Sequence, residues 1–239
     1  MRVLILGSGP AARDVADWDI SYFDVFVVIN NAWRIRPDWT HMIHPEDLPE
    51  ENRPPVLRSR QTIVTAADYV PVQNNLGGFL YAGGTMAFTA GYWALGALEP
   101  SEIGFFACDM VYPKTGDTHF YGVGEPDPLR QDITLQSLEA KSTRLMLLAA
   151  ERGCACVNYS GASESRLVFP KRSPGEDMGV TQFDLSGARA ALRAEAALGY
   201  MAEDGRYWLQ EEQYDKSALA RIDALWLDAL RQNTTALSA

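Results

Sequence analysis

Asp109, Tyr112, Asp117, His119 and Tyr121 fall in one short polar stretch, DMVYPKTGDTHFYG. Histidine has an unperturbed pKa close to neutral, so His119 can act as a general base on a hydroxyl. The hydroxyls of Tyr112 and Tyr121 can donate hydrogen bonds to phosphate oxygens, and the Asp109 carboxylate can accept a proton or hold a cation. The plainer alternative for His119 is a loop histidine bonded to Asp109 or Asp117. Two further stretches have anion-binding chemistry. Gly7-Ser8-Gly9-Pro10 and Gly83-Gly84-Thr85 each place glycines at the expected start of a helix. There, backbone can approach a ligand closely, and the first N–H groups lack partners within the helix. A valine at Gly9 or Gly84 is expected to block that approach and leave the fold intact. Asn30 adds an amide that can bond a base edge or a ribose hydroxyl. Together these types suit group transfer from an activated nucleotide, which needs a pocket, stabilisation of the leaving phosphates and a base.

The elements that must position these residues follow from hydrophobic runs. Arg2–Leu6, Val25–Ile29 and Ile103–Ala107 are near-continuous apolar segments of the kind buried in parallel sheets. Thr40–Ile43, Gln61–Thr65 and Ala155–Asn158 are shorter strand candidates. Helices are expected from Gly9-Pro10 to about Asp17, from Thr85 to Glu99-Pro100, and over Asp132–Arg152. Tyr69–Gly78, with its Pro and Gly residues, is expected to be a mobile loop. The order predicts an α/β fold, a mostly parallel sheet with helices on both faces. In such sheets ligands bind outside the carboxyl ends of the strands, where Gly7–Pro10, Asn30 and Asp109-Met110 fall. Beyond a linker at 171–183, two helices are expected, about Leu185–Met201 and Lys216–Arg231. The second carries the apolar residues Leu219, Ile222, Leu225, Trp226 and Leu230 on one side. They form a C-terminal helical appendage that packs on the sheet or on a second subunit, making a homo-oligomer one option.

Composition narrows the classes. The formal net charge is −10 over 239 residues, which argues against a broad nucleic-acid-binding face. No apolar run is long enough for a membrane span. The three cysteines, an odd number, suggest a reducing compartment and a cytoplasmic location. Cys154 and Cys156 are read as buried small hydrophobes. A metal site from His41, His44 and Asp47 is conceivable, but a histidine at a strand end explains each of the two more simply. Gly7–Ala12 fits the dinucleotide pattern G-x-G-x-x-A, yet Asn30 stands where that pattern wants an acid, so an NAD oxidoreductase is the least favoured enzyme.

Five segments in order, LILGSGP, VVIN, GGTMAFTAGYWALGA, FFACDMVYPKTGDTHFYG and VNYSGASESRLVFP, resemble the bacterial and phage proteins of the MAF/DUF115-like group, relatives of the family 42 sialyltransferases. The resemblance covers about Met1–Pro170, and the C-terminal helices lie outside it. It implies a Rossmann-like glycosyltransferase-type domain that binds a nucleotide-activated sugar and moves the sugar to a hydroxyl acceptor. Gly7, Ser8, Gly9 and Pro10 match the nucleotide turn, and Asn30 the asparagine after the second strand. Gly83, Gly84 and Thr85 match the donor-holding turn, and Asp109, Met110 and Tyr112 the strand end that touches the nucleotide. His119, Asp109 and Tyr121 are the candidates for the chemistry. The sialyltransferases' catalytic histidine lies in a later segment, so His119 does not align with it. No Asp-x-Asp motif follows a strand, which favours transfer with no cofactor required. One branch of the wider group instead transfers diphosphate with magnesium, and Asp109 and Asp117 would be the ligands here. A non-catalytic nucleotide-sugar binding module is the remaining alternative.

Overall fold

The computed structural model describes residues 1–112, 116–123, 131–176 and 181–234. Six strands, β1 (Arg2–Leu6), β2 (Val25–Ile29), β3 (His41–Ile43), β4 (Thr62–Val64), β5 (Glu102–Phe106) and β6 (Ala155–Asn158), form one sheet. Their order is β4-β3-β2-β1-β5-β6 and every pairing is parallel. This is an α/β, Rossmann-like arrangement with C-terminal helices. The chain runs one way from β1 to β4 and the other way from β5, so the switch point lies between β1 and β5. Leu6 pairs with both Val28 and Phe106, which brings the carboxyl ends of β1, β2 and β5 level.

The strands are apolar on both faces because both are covered. Val3, Ile5, Val27, Ile103, Phe105 and Cys156 face the layer of α-helices. Leu4, Leu6, Phe26, Val28, Phe106 and Val157 face Ala12, Val15, Ala32, Phe23 and Trp39. The expected helices on both faces are therefore unequal. The layer behind Leu4 and Leu6 is built from two 3-10 segments, Pro10–Asp17 and Asn30–Arg34, with aromatic side chains between them.

Two expected segments differ. Tyr69–Gly78 is not a loop: α1 runs Ala66–Asn75 despite Pro71. Thr65 donates from its N–H (2.8 Å) and its hydroxyl (3.0 Å) to Asp68 Oδ2, and buried Tyr69, Val70 and Gln73 anchor the helix, which together outweigh the lost proline N–H. After α2 (Phe79–Ala82), α3 covers Met86–Trp93 and continues as a π-helical turn, Ala94–Leu98. The helix expected from Asp132 begins at Leu138, because Ser137 Oγ accepts from Ala140 N (3.2 Å) and caps α4, Leu138–Glu151.

The C-terminal helices α5 (Ser186–Leu198) and α6 (Lys216–Gln232) pack on α4, inside the chain's own core rather than on the sheet. Leu219, Ile222 and Trp226 are buried there, and Leu225 and Leu230 partly so. Arg144 of α4 fastens this layer. Its Nε (2.9 Å) and Nη2 (2.8 Å) donate to Glu195 of α5, its Nη1 donates to Tyr92 (2.8 Å), and Nη2 also donates to Leu76 O (2.8 Å). Trp226 Nε1 donates to the same Glu195 (2.7 Å). A second buried pair, Lys141 to Asp223 (2.7 Å), ties α4 to α6. Burial outweighs Lys141 and raises the Asp223 pKa. Among the described residues no helix is long and apolar enough to cross a membrane. Cys108, Cys154 and Cys156 are all buried thiols without disulfides.

Candidate active site at the topological switch point

The turn after β1 and the chain leaving β5 are bonded together. Gly7 N donates to Phe106 O (2.9 Å) and Gly9 N to Ala107 O (3.0 Å). The glycines are needed for that contact. A Cβ on Gly7 would stand 2.3 Å from the Ala107 carbonyl oxygen, and one on Gly9 2.8 Å from it. A valine at Gly9 would therefore disturb the fold as well as any ligand, which corrects the expectation of an intact fold. Pro10 starts the 3-10 segment, where its missing N–H costs nothing. With Gly7 and Gly9 committed to carbonyls, the donors left to this turn are the N–H groups of Ser8 and Ala11.

A cleft of about 270 Å³ opens where the two segments meet. Gly9, Pro10, Asp109, Met110 and Tyr112 line it, so five of the expected residues converge. Ser163 and Glu164, from the loop after β6, complete it. The Asp109 carboxylate is held in place: Oδ2 accepts from Ser160 Oγ (2.5 Å) and Oδ1 from Asn158 Nδ2 (3.2 Å). Asn158, Ser160, Ser163 and Glu164 were not singled out from the sequence. They belong to VNYSGASESRLVFP, whose polar run after a strand was the available signal.

Backbone strain gathers here. Ala107 (φ 55°) and Met110 (φ 53°) are left-handed without being glycine, and Asn30 (φ 50°) ends β2 in the same conformation. Asparagine tolerates this region, but alanine and methionine do so at a cost of about 1–3 kcal/mol each, and such residues cluster at functional sites. Asn30 Oδ1 and Asn31 Oδ1 are buried and accept no hydrogen bond among the described residues. A ligand hydroxyl or amino group would satisfy either one.

His119 and Tyr121 do not line the cleft. They stand behind Tyr112, with ring centroids 6.0 Å from Tyr112 to His119 and 4.9 Å from His119 to Tyr121, the latter pair stacked. Phe120 N donates to Ser8 O (3.0 Å), which docks this loop on the Gly7–Pro10 turn. His119 Nδ1 lies 2.9 Å from Thr118 Oγ1, and burial lowers its pKa, so the ring is neutral at pH 7. Asp117 is exposed on the same loop, while Lys114 and residues 124–130 lie outside the described residues.

The second glycine turn is elsewhere. Gly83 (φ 90°) ends α2 against Lys141 and Phe88. Gly84 N donates to Thr134 Oγ1 (2.9 Å), and a Cβ on Gly84 would meet the Tyr207 hydroxyl at 2.1 Å. Thr85 caps α3 by accepting from Phe88 N (3.3 Å), and its hydroxyl is 3.9 Å from Met110 Sδ. Thr85 thus touches the wall of the switch-point cleft, but Gly84 opens onto a different one. His41 packs its ring 5.2 Å from Trp93, and His44 Nδ1 donates to Pro45 O (2.8 Å). Among the described residues no group of three His, Cys, Asp or Glu side chains could hold a metal ion.

The fold is a doubly wound α/β sheet, and its cleft lies at the switch point. No family model matches the chain, and neither a curated protein nor a solved structure matches it.

Proposed function

We propose that the chain is a glycosyltransferase that takes a nucleotide-activated sugar at the switch point and transfers the sugar to a hydroxyl acceptor. The observation that carries this reading is the convergence of Gly9-Pro10, Asp109-Met110 and Tyr112 on one cleft, with the unpartnered buried acceptor of Asn30 at the end of the neighbouring strand β2. At about 270 Å³ the cleft is slightly below the usual ligand-site range of about 300–1,000 Å³, so it suits one moiety of a donor rather than all of it. Ser8 and Ala11 N–H groups and the Tyr112 hydroxyl would meet the phosphates and Asn30 a ribose hydroxyl, while neutral His119, behind Tyr112 and outside the cleft, would serve as base for an acceptor that enters on that side. The resemblance to the MAF/DUF115-like group supports the same choice of donor.

Calorimetric titration of the full chain with nucleotides and nucleotide sugars, followed by an assay for sugar release, tests this. One nucleotide-sugar class should bind and turn over, and Asn30→Ala should weaken it about tenfold by removing one buried hydrogen bond. Failure of every nucleotide sugar to bind sinks the proposal.

A second reading, magnesium-dependent diphosphate transfer, is favoured by one observation: Asp109 and Glu164 line the same cleft. Two carboxylates with substrate phosphates suit a magnesium ion. The lone pairs of Asp109 already engaged by Asn158 and Ser160 weigh against it. Activity that requires magnesium and releases a nucleoside monophosphate would select this reading.

A further inference from the structure

A second and larger cleft, about 550 Å³, lies beyond the ends of β3 and β4. One wall is the connector between α5 and α6, which folds back over Gly84. Its surface is of two kinds. Tyr69, Phe79, Tyr207 and Trp208 make a continuous aromatic wall, with centroids 6.3 Å from Tyr69 to Phe79, 6.3 Å from Phe79 to Tyr207 and 5.3 Å from Tyr207 to Trp208. Trp208 is 56% exposed, so its ring face is open to a ligand in the cleft. Around this wall stand the carboxylates of Glu46, Asp47, Asp132, Asp204 and Glu211.

Arg206 is the one cation among the described lining residues, and Glu46 Oε2 lies 2.9 Å from it. Glu211 Oε1 lies 3.4 Å from Lys216 Nζ, and both Asp132 oxygens accept hydrogen bonds from Thr134 and Tyr207, so the excess of negative charge rests on Asp47 and Asp204, which pair with no cation among the described residues. Tyr69 registers that field: its pKa is pushed up to about 12, first by burial and then by Glu46 and Asp47. A phosphate would be repelled here. Aromatic faces carry negative quadrupole charge and attract weakly hydrated cations, and the carboxylates act in the same direction. We propose that this cleft binds an organic ammonium ion, its apolar body against the aromatic wall and its charge among the carboxylates. Nothing in this argument depends on a nucleotide at the switch point, so either site can fail without the other.

The test is a calorimetric titration of the full chain with 2-phenylethylammonium chloride and with 2-phenylethanol, its uncharged counterpart. The ammonium should bind saturably and the alcohol at least about fivefold more weakly. Raising ionic strength from about 0.05 M to about 0.5 M should weaken only the ammonium. Trp208→Ala, and separately the double change Asp47→Asn with Asp204→Asn, should each weaken it about fivefold. All three side chains are exposed, so circular dichroism and Tm should stay unchanged. Equal binding of the alcohol, an affinity indifferent to salt, unaltered binding in the variants or no saturation overturns the proposal.

Discussion

The two glycine turns on the carboxyl edge of the sheet, Gly7–Pro10 and Gly83–Thr85, both lead into helical segments and both put glycine where a Cβ cannot fit. They differ in what fills the space. Gly7 and Gly9 lie against the backbone of Ala107, inside the joint that shapes the switch-point cleft. Gly84 lies under the side chain of Tyr207, whose hydroxyl donates to Asp132 Oδ2 (2.7 Å). The first turn is braced by rigid backbone and keeps a cleft open beside it. The second is roofed by a connector from the far end of the chain. A missing Cβ therefore reports close approach of some group, backbone at the first turn and a movable side chain at the second.

The transfer chemistry proposed above belongs to the first turn, and its sharpest test is His119, which is docked on that turn through Phe120. His119→Ala should lower turnover by roughly 10²–10⁴ with little change in donor affinity, whereas Thr85→Ala should leave turnover within a few-fold. Because burial lowers the His119 pKa, the acid limb of the wild-type rate should lie below the usual histidine value and vanish in the alanine variant. A variant that keeps its rate and its acid limb removes His119 from the mechanism.

Next in size is Gly7→Ala. Its Cβ meets a carbonyl oxygen that cannot swing away, so a loss of about 3 kcal/mol is expected, or about 9 °C in Tm. A shift under about 2 °C would mean that the two backbones are not braced against each other.

Gly84→Ala should cost less, about 1–2 kcal/mol, because the Tyr207 ring can move. In a Tyr207→Phe background the cost should fall by about 1 kcal/mol, since the hydroxyl causes the closest contact. Strict additivity in the double variant would show that Tyr207 does not roof Gly84.

The smallest effect is on stability against pH. Burial lowers the pKa of both His41 and His119, so the unfolded chain binds protons more readily than the folded one. Stability should be fully present above the unfolded histidine value, about 6.5, and decline as pH falls from there toward the lowered folded values. His119→Gln should flatten part of that decline in a denaturant titration series, and His41→Gln the rest. An unchanged slope in both variants would rule out histidine as its source.

Much of this was legible in residue order. The apolar runs at Arg2–Leu6, Val25–Ile29 and Ala155–Asn158 become the strands expected of them, because a parallel strand covered on both faces needs nothing but apolar side chains. Gly9, Pro10, Asp109, Met110 and Tyr112 meet because parallel topology brings the carboxyl ends of β1 and β5 together. The α1 helix was obscured by Pro71 and by Asn and Gly residues, whose local preferences lost to the Thr65–Asp68 cap and a buried face. The apolar stripe of α6 was visible, but its partners, α5 and α4, were not, because a stripe states only that something must cover it.

Local pattern thus determined the strands and the loop that carries the polar side chains, since each is set by a few neighbouring residues and the period of their side chains. Tertiary structure alone decided that Gly84 packs against Tyr207 at the edge of the second cleft, that His119 stands behind Tyr112, and that Trp208 and the carboxylates share that cleft. Those outcomes join residues far apart in the chain, and only packing of the whole core brings their surfaces into contact.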